Sequence, residues 1–392
     1  MRWFIPLLAL TLSGPAVAGD HIKLDAPVSP TSEVQTPPPD GISYGRRTLE
    51  GAAQLNLNPA FVHYVREGLE HLFHRRYRQA RAHFSEMEQV FPNTAIGSVA
   101  DVFIWQAVML ENYDFRFVDQ YLAASAAART KLGVAQKIPG NDAWERFMLA
   151  GVSGVEAIHH ARQGRYLPAL NLAFEAIDHV EAARRAAPSF VDIALADGMY
   201  AYWRSVITSK SRMLPDFGDH REEGLEKMKQ VEANGIFLAS PATLSLAYSW
   251  QEERRHDLAL KACLRNKERY PNSIINEMML GFTYLRMNKT SDALSAFENV
   301  LKIDPRNRRA HYYVGLVQYR KGMMDAAHDS FKTYLAFSDL ENHQAAHAQY
   351  RLGLVLRSQG DAAGAEAAFR EAVRADGHKE ARAELAQARR SR

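Results

Sequence analysis

Residues 280–305 read LGFTYLRMNKTSDALSAFENVLKIDP, and the pattern of this stretch recurs along the chain. In it, Gly281 follows a leucine, Ala293 stands twelve residues later, Phe297 four residues after that, and Pro305 closes the unit. The matching positions elsewhere are Leu246-Ala247, Ala259, Cys263 and Pro271; Val314-Gly315, Ala327 and Phe331; and Leu352-Gly353, Ala365 and Phe369. The three glycines recur at spacings of 34 and 38 residues, so the segment is an array of repeats.

Each repeat has the composition of a helical hairpin. Gly281 on the first helix and Ala293 on the second allow two helix axes to approach closely, and Phe297 is expected to fill the space between one hairpin and the next. The turns within the hairpins carry Asn288, Gly322 and Gly360, residues that tolerate a left-handed backbone. These spacings resemble the tetratricopeptide repeat. The resemblance implies an all-α fold, a right-handed α-solenoid of helix hairpins, with a regular array over residues 240–392.

Residues 46–239 follow the same plan less regularly. A repeat-like unit is predicted at 61–94, where the motif spacing is kept by Gly68, Tyr77, Ala80, Phe84 and Pro92. A longer helix pair is expected at 95–136, and a long second helix follows Gly164 and runs to Ala187. We therefore predict longer, irregular helical hairpins in this half of the chain, within the same solenoid.

Residues 1–18 have the pattern of a cleavable signal peptide. Met1-Arg2 is a short positive end, Phe4 to Leu12 is mostly apolar, and Ala16-Val17-Ala18 is a small-x-small cleavage site. Nine helical residues cover only about 14 Å, less than the roughly 30 Å of a bilayer core. Residues 19–45 then form a proline-rich linker. The sequence thus predicts an exported, periplasmic protein with no membrane span after cleavage.

A second resemblance lies between Leu195 and Trp250. The motifs are Gly198-x-x-x-Tyr202-Trp203, Leu214-Pro215 and Gly218-Asp219-x-Arg221-Glu222-Glu223-Gly224. They resemble a family of exported bacterial tetratricopeptide proteins of unassigned function, although His220 is inserted between the Asp and the Arg. From the residues alone, Asp219 and Glu222 predict a capping box at the start of a helix over Arg221–Glu232.

The composition and motifs argue against catalysis. The net charge is only +3 and the charges are mixed, so the dense basic stripe of a nucleic-acid binder is missing. Metalloprotease, serine-hydrolase, phosphate-loop and dinucleotide motifs are absent from the sequence. The one cysteine, Cys263, forms no internal disulfide and is expected in the core. We predict no enzyme activity, no cofactor and no catalytic residue.

Three histidines are the strongest candidates for metal ligands in the sequence. His71 and His74 are three residues apart on one helix, and His83 lies on the next. No carboxylate stands at a spacing that we recognise as a ligand pattern, so the sequence predicts no metal site. Solvated or groove-facing histidines are expected instead.

The first helices of the regular repeats carry the candidate binding residues. Because the first helix of each pair lines the concave face of such a stack, these helices are expected to form a groove. Its candidate residues are Arg286, Arg309, Tyr312, Tyr313, Tyr319, Arg320, Tyr350 and Arg351, with Met278, Phe282, Leu316 and Arg357 on or near the same face. Tyrosine and arginine are typical of binding hot spots. The sequence therefore predicts a scaffold that binds an envelope protein or extended peptide. The alternative function is a glycan-binding module. A further interpretation is that half of these tyrosines only pack between repeats.

Overall fold

The computed structural model describes residues 46–140, 142–210 and 218–390. The predicted signal peptide and linker, and the Leu214-Pro215 motif, lie outside these residues. Within them the structure contains eighteen α-helices and no strand, which confirms the all-α prediction. No helix in this part of the chain combines the length and apolar character needed to cross a bilayer.

The helices follow one another through short connections. The first nine are α1 (Arg46–Gln54), α2 (Pro59–Phe73), α3 (Tyr77–Val90), α4 (Ile96–Asn112), α5 (Val118–Ala135), α6 (Asp142–Arg162), α7 (Tyr166–Ala186), α8 (Ile193–Lys210) and α9 (Arg221–Asn234). The other nine are α10 (Ala239–Glu252), α11 (His256–Arg269), α12 (Ile274–Arg286), α13 (Thr290–Ile303), α14 (Arg308–Arg320), α15 (Met324–Leu335), α16 (Asn342–Ser358), α17 (Ala362–Asp376) and α18 (Lys379–Arg390). Consecutive helices pack as hairpins in seven pairs: α2–α3, α6–α7, α8–α9, α10–α11, α12–α13, α14–α15 and α16–α17.

The described residues divide into two compact units. The first contains 46–109 and 115–273, and the second contains 110–114 and 274–390. Much of the first unit packs on one large core, in which Phe61 meets Trp144 edge-on at a centroid distance of 5.6 Å. The second unit has three small cores in succession, centred on Phe297, Phe331 and Phe369. Each of these cores is shared by three consecutive helices.

The turns inside six of the hairpins share one geometry. Asn288, Gly322 and Gly360 have φ values of 58°, 76° and 85°, which confirms the predicted left-handed turns. Just after the first of them, the Lys289 N–H donates to the Tyr284 carbonyl at 2.9 Å, the bond that closes a Schellman motif. The same bond occurs in five other hairpins, donated by the N–H groups of Arg76, Arg165, Arg255, Met323 and Asp361.

Glycine and phenylalanine meet at the helix crossings of the repeats. A Cβ built on Gly281 would lie 2.3 Å from the Phe297 ring, so only glycine allows the two helices to come this close. Gly353 with Phe369 and Gly68 with Phe84 are contacts of the same kind, whereas a Cβ on Gly315 would lie 3.2 Å from the Phe331 ring, a looser crossing. The phenylalanine therefore packs inside its own hairpin; Phe297 also stacks on Tyr313 of the next one, as expected. The Gly68–Phe84 contact shows that the unit at 61–94 has the same crossing.

Ala327 offers a test of the repeat register. It is fully buried beside Phe331, whereas Ala362, which we expected in a turn, is the exposed first residue of α17. Ala327→Leu should lower the free energy of unfolding by about 1–3 kcal/mol, because added methyl groups overpack a closed crossing. Ala362→Leu should change it much less. Thermal unfolding of both variants is the measurement, and equal melting temperatures would show that the register is wrong.

The predicted capping box at α9 is wrong. The N-cap residue is His220, and its side chain makes no capping hydrogen bond. Asp219 instead accepts from the Arg221 backbone N–H at 3.1 Å and pairs with the Arg221 guanidinium. Glu222 pairs with Arg255, 33 residues away. Both carboxylates thus pair with arginine side chains. These guanidinium groups compete with the backbone N–H groups of the helix for the carboxylate oxygens.

The glycines of the second resemblance have a structural role. A Cβ on Gly224 would lie 2.5 Å from the Gly198 carbonyl oxygen, so α8 and α9 cross with almost no space between their backbones. Next to this crossing Tyr202 is fully buried, and its hydroxyl donates to the Ser249 carbonyl at 2.9 Å. The motif therefore describes a tight helix crossing.

Candidate partner-binding surface

The predicted groove residues lie on three first helices of the second unit. Arg286 ends α12, five of the residues belong to α14, and Tyr350 and Arg351 belong to α16. Met278 and Leu316, expected on or near this face, are buried in the cores. The turn of α14 that carries Leu316 therefore faces inward, and the polar residues around it border the core. That these helices line a concave face remains a prediction.

Aromatic rings connect the start of α14 to its neighbours. Tyr313 lies 4.7 Å from the Phe282 ring in a T-shaped contact and stacks on Phe297 at 5.3 Å. Tyr312 meets Tyr313 edge-on at 5.3 Å. The Arg309 guanidinium lies over the Phe282 ring at 5.0 Å, an arrangement in which the ring stabilises the cation. One end of the candidate surface is thus a set of rings with an arginine over one of them.

A second set of rings lies on α16. Tyr350 stacks on His378 at 4.6 Å, and the Arg351 guanidinium lies 5.6 Å from the Tyr350 ring. Burial raises the pKa of Tyr312, and the nearby positive charge of Arg351 opposes that rise. Tyr319 packs against the cores on both sides of it. The residues of α14 and α16 are therefore brought together.

The four tyrosines have a double role. Each is half-buried and packs against core side chains, as the packing interpretation expected. None of their hydroxyls is among the buried polar atoms that lack a hydrogen-bond partner. The rings consequently support the repeats, and part of each tyrosine remains exposed at the surface.

Charge distinguishes the arginines of this surface. Arg309, Arg320 and Arg351 make no ion pair with a carboxylate of the described residues, whereas Arg357 pairs with Glu384. Arg286 is exposed at the end of α12 and makes interactions of its own. Three guanidinium groups on α14 and α16 therefore have their charge uncompensated by neighbouring acids, which favours an anionic ligand group.

Arg308 is a residue that the sequence analysis missed. Its side chain is buried and pairs with Asp339 at 2.9 Å and with Asp114 at 3.1 Å, both within the second unit. Nothing in the sequence separates Arg308 from Arg309, because adjacent helix positions differ only in the direction that they face. Arg308 is structural, and its neighbour carries the available charge.

Two histidines of the first unit form a cluster with a carboxylate, which the sequence analysis did not predict. His71 and His83 lie with Glu67 in one cluster, and their candidate ligand atoms are all within 4.8 Å of one another. His74 lies outside this cluster and faces Glu70, with 3.6 Å between Nε2 and the carboxylate. Burial is the main cause that lowers the pKa of His71. The Glu67-x-x-x-His71 spacing, one helical turn, was readable in the sequence.

Comparisons with known proteins found one matching family model and several similar solved structures. A family model of the tetratricopeptide repeat matches residues 278–341 and 340–380. Similar solved structures include MamA of MSR-1 (20% identity over 46% of this chain and 97% of that chain, TM-score 0.35). A tetratricopeptide protein of Thermus thermophilus (20%, 49% and 98%, TM-score 0.35) and one of Parabacteroides merdae (14%, 71% and 97%, TM-score 0.39) are also similar. The search of curated proteins found no match.

The repeat spacing, the glycine crossings and the family model all point to the same segment. Tetratricopeptide repeats act in general as scaffolds for protein interaction. Residues 278–380 of this chain are tetratricopeptide repeats.

Proposed function

We propose that the chain is a non-enzymatic scaffold of the cell envelope that binds an extended, carboxylate-bearing segment of a protein partner through α14 and α16. The observation that carries the proposal is the group of three arginines, Arg309, Arg320 and Arg351, without carboxylate partners beside half-buried tyrosines. An arginine fork binds a carboxylate with two parallel hydrogen bonds, and the rings exclude water around it. The location in the envelope rests on the signal-peptide pattern of residues 1–18.

A protein partner fits this surface better than a glycan does. Sugars bind on open faces of aromatic rings, but Tyr313 has a face on Phe297 and Tyr350 has a face on His378. One face of each of these two rings is thus closed to a sugar, whereas the guanidinium groups of Arg309, Arg320 and Arg351 have no carboxylate partner in the described residues. These suit carboxylates and backbone carbonyls of an extended peptide.

The test is a pull-down from envelope extract with three forms of the protein. The first is the unchanged chain and the second carries Arg309→Gln, Arg320→Gln and Arg351→Gln, which remove charge and keep most of the side-chain volume. The matched control carries Lys302→Gln, Arg370→Gln and Arg374→Gln, three exposed positions on the second helices α13 and α17. The total charge change is the same in both variants.

We expect the unchanged chain and the control to retain a stoichiometric protein partner, and the groove variant to lose it. Loss of an arginine anchor often costs about 2 kcal/mol, roughly thirtyfold in affinity, so three losses should abolish capture. Circular dichroism should be unchanged, and the melting temperature should fall only slightly, because Arg309 and Arg351 lose their contacts with aromatic rings while Arg320 is exposed. A folded groove variant that still captures the partner would show that binding occurs elsewhere. Retention of the unchanged chain on purified peptidoglycan, with no protein partner, would favour the glycan alternative.

A further inference from the structure

The first repeat-like hairpin brings together two imidazoles and a carboxylate. Glu67 and His71 lie one turn apart on α2, so both side chains leave the same side of the helix. His83 comes from α3, across the hairpin, and the candidate ligand atoms of the three residues lie within 4.8 Å of one another. In a tetrahedral site with bonds of about 2.1 Å the ligand atoms are roughly 3.4 Å apart. Glu67 is exposed and can close the remaining gap by rotation of its side chain.

The tautomer of His83 is set by its second nitrogen. Its Nε2 lies 2.8 Å from the Tyr64 carbonyl oxygen, and because a carbonyl oxygen only accepts, Nε2 carries the proton. Nδ1 is left with its lone pair. Metal-binding histidines usually have this arrangement, in which the ring nitrogen that does not bind the metal donates to a carbonyl or carboxylate.

His71 has no competing partner. Its ring makes no hydrogen bond with the described residues, and its Nδ1 is buried. Buried polar atoms normally have a partner, so an unpartnered imidazole beside a fixed one needs an explanation. The His71 ring lies 5.9 Å from the His83 ring at an angle of 64°.

We propose that Glu67, His71 and His83 form a Zn²⁺ site that ties α2 to α3. Two imidazole nitrogens and one carboxylate oxygen are ligands that zinc prefers, and three protein ligands leave one coordination position for water or another donor. This inference reverses the prediction made from sequence, and it does not depend on the partner-binding surface of the second unit.

The experiment is a titration of the full, tag-free chain with ZnCl₂ by isothermal calorimetry. We expect one Zn²⁺ per chain, and a dissociation constant at least about 100-fold weaker in His71→Ala and in His83→Ala, since even the loss of an outer-shell partner costs 10- to 100-fold. The matched control is His74→Ala, which removes an imidazole of the same hairpin from outside the cluster. Its affinity for Zn²⁺ should be unchanged.

The variant Glu67→Gln distinguishes loss of a metal ligand from loss of the fold. Since Glu67 is exposed, this change should leave the fold intact even if the histidine variants unfold, and it should weaken Zn²⁺ binding at least about tenfold. Co²⁺ provides a second readout: the strong visible absorption of four-coordinate cobalt should appear in the unchanged chain and decrease in Glu67→Gln. Unchanged Zn²⁺ affinity in Glu67→Gln, equal loss in His74→Ala, or no binding by the unchanged chain would each overturn the proposal.

Discussion

Asp192→Ala should lower the free energy of unfolding more than any other single substitution described above. The Asp192 carboxylate is fully buried and accepts the backbone N–H groups of Ile236, Phe237 and Leu238 at 2.8, 2.8 and 2.7 Å. These donors lie just before α10, whose N-cap residue supplies no side-chain bond. Without the carboxylate, two buried donors and the half-buried Leu238 N–H lose their acceptor, and we expect the free energy of unfolding to fall by about 3–5 kcal/mol.

Urea unfolding followed by circular dichroism measures this effect. Asp192→Asn should recover little of the stability, because an amide offers one acceptor oxygen and presents a donor to the remaining N–H groups. The control is Asp178→Ala, which removes an exposed carboxylate from α7. A change below about 0.5 kcal/mol for Asp192→Ala, the usual size for a surface position, would show that the carboxylate does not hold the start of α10.

Glu145 should make the protein less stable as the pH rises from acid to neutral. It lies on α6 with no solvent exposure, and this burial raises its pKa from the ordinary 4.5 to about 7. Thr94 and the backbone of Ala95, before the first turn of α4, oppose the rise only in part. Between these two pH values the folded chain keeps a proton that the unfolded chain has lost. The free energy of unfolding therefore falls as the pH rises from about 4.5 to 7, and this contribution is constant above that.

Glu145→Gln removes this dependence because the amide is nearly the same size and does not ionise. We expect the variant to be more stable than the unchanged chain by about 2–3 kcal/mol at pH 8, and equally stable near pH 4. Urea unfolding at a series of pH values gives the two curves, and other titrating groups cancel in their difference. Glu86→Gln, at an exposed position of α3, should give a curve parallel to that of the unchanged chain. A parallel curve for Glu145→Gln as well would show that Glu145 ionises normally in the folded state.

The repeat architecture was predictable because its determinants are close in sequence. Gly281 and Phe297 stand sixteen residues apart, and their contact closes a hairpin that both belong to. The left-handed residue Asn288 lies between them. The spacing of such a motif therefore predicts a contact within one hairpin. The same reasoning located the hairpin at 61–94, where Gly68 meets Phe84.

The buried charges could not be predicted in this way. Asp192 binds N–H groups 44 to 46 residues further along the chain, and Glu145 lies near Thr94, about fifty residues earlier. Such pairs leave no spacing pattern in one sequence. The capping box at Asp219 failed for a related reason, since Glu222 pairs with Arg255, which lies just before α11.

The residue types of the candidate binding surface could be predicted from the sequence, but which of its arginines form ion pairs could not. Spacing placed Tyr312 and Tyr319 on one side of α14, and both border the core and remain partly exposed. Which arginines lack an acid depended on tertiary packing: Arg308 is neutralised by Asp339, while Arg309 lies over aromatic rings. The Glu67–His71–His83 cluster was missed because the spacing of Glu67 and His71 was not recognised as a ligand pattern, and His83 joins them from the next helix.

The three small cores of the second unit have a consequence for how the chain folds. Each core is completed by three consecutive helices, as with α12, α13 and α14 around Phe297. Contacts between residues distant in sequence contribute little there, so the loop-closure entropy is low and folding should be fast. During synthesis, each hairpin can pack on the preceding one as soon as it leaves the ribosome. A whole hairpin could then be gained or lost in evolution at the cost of one interface, which makes the number of repeats far easier to change than the packing within any one of them.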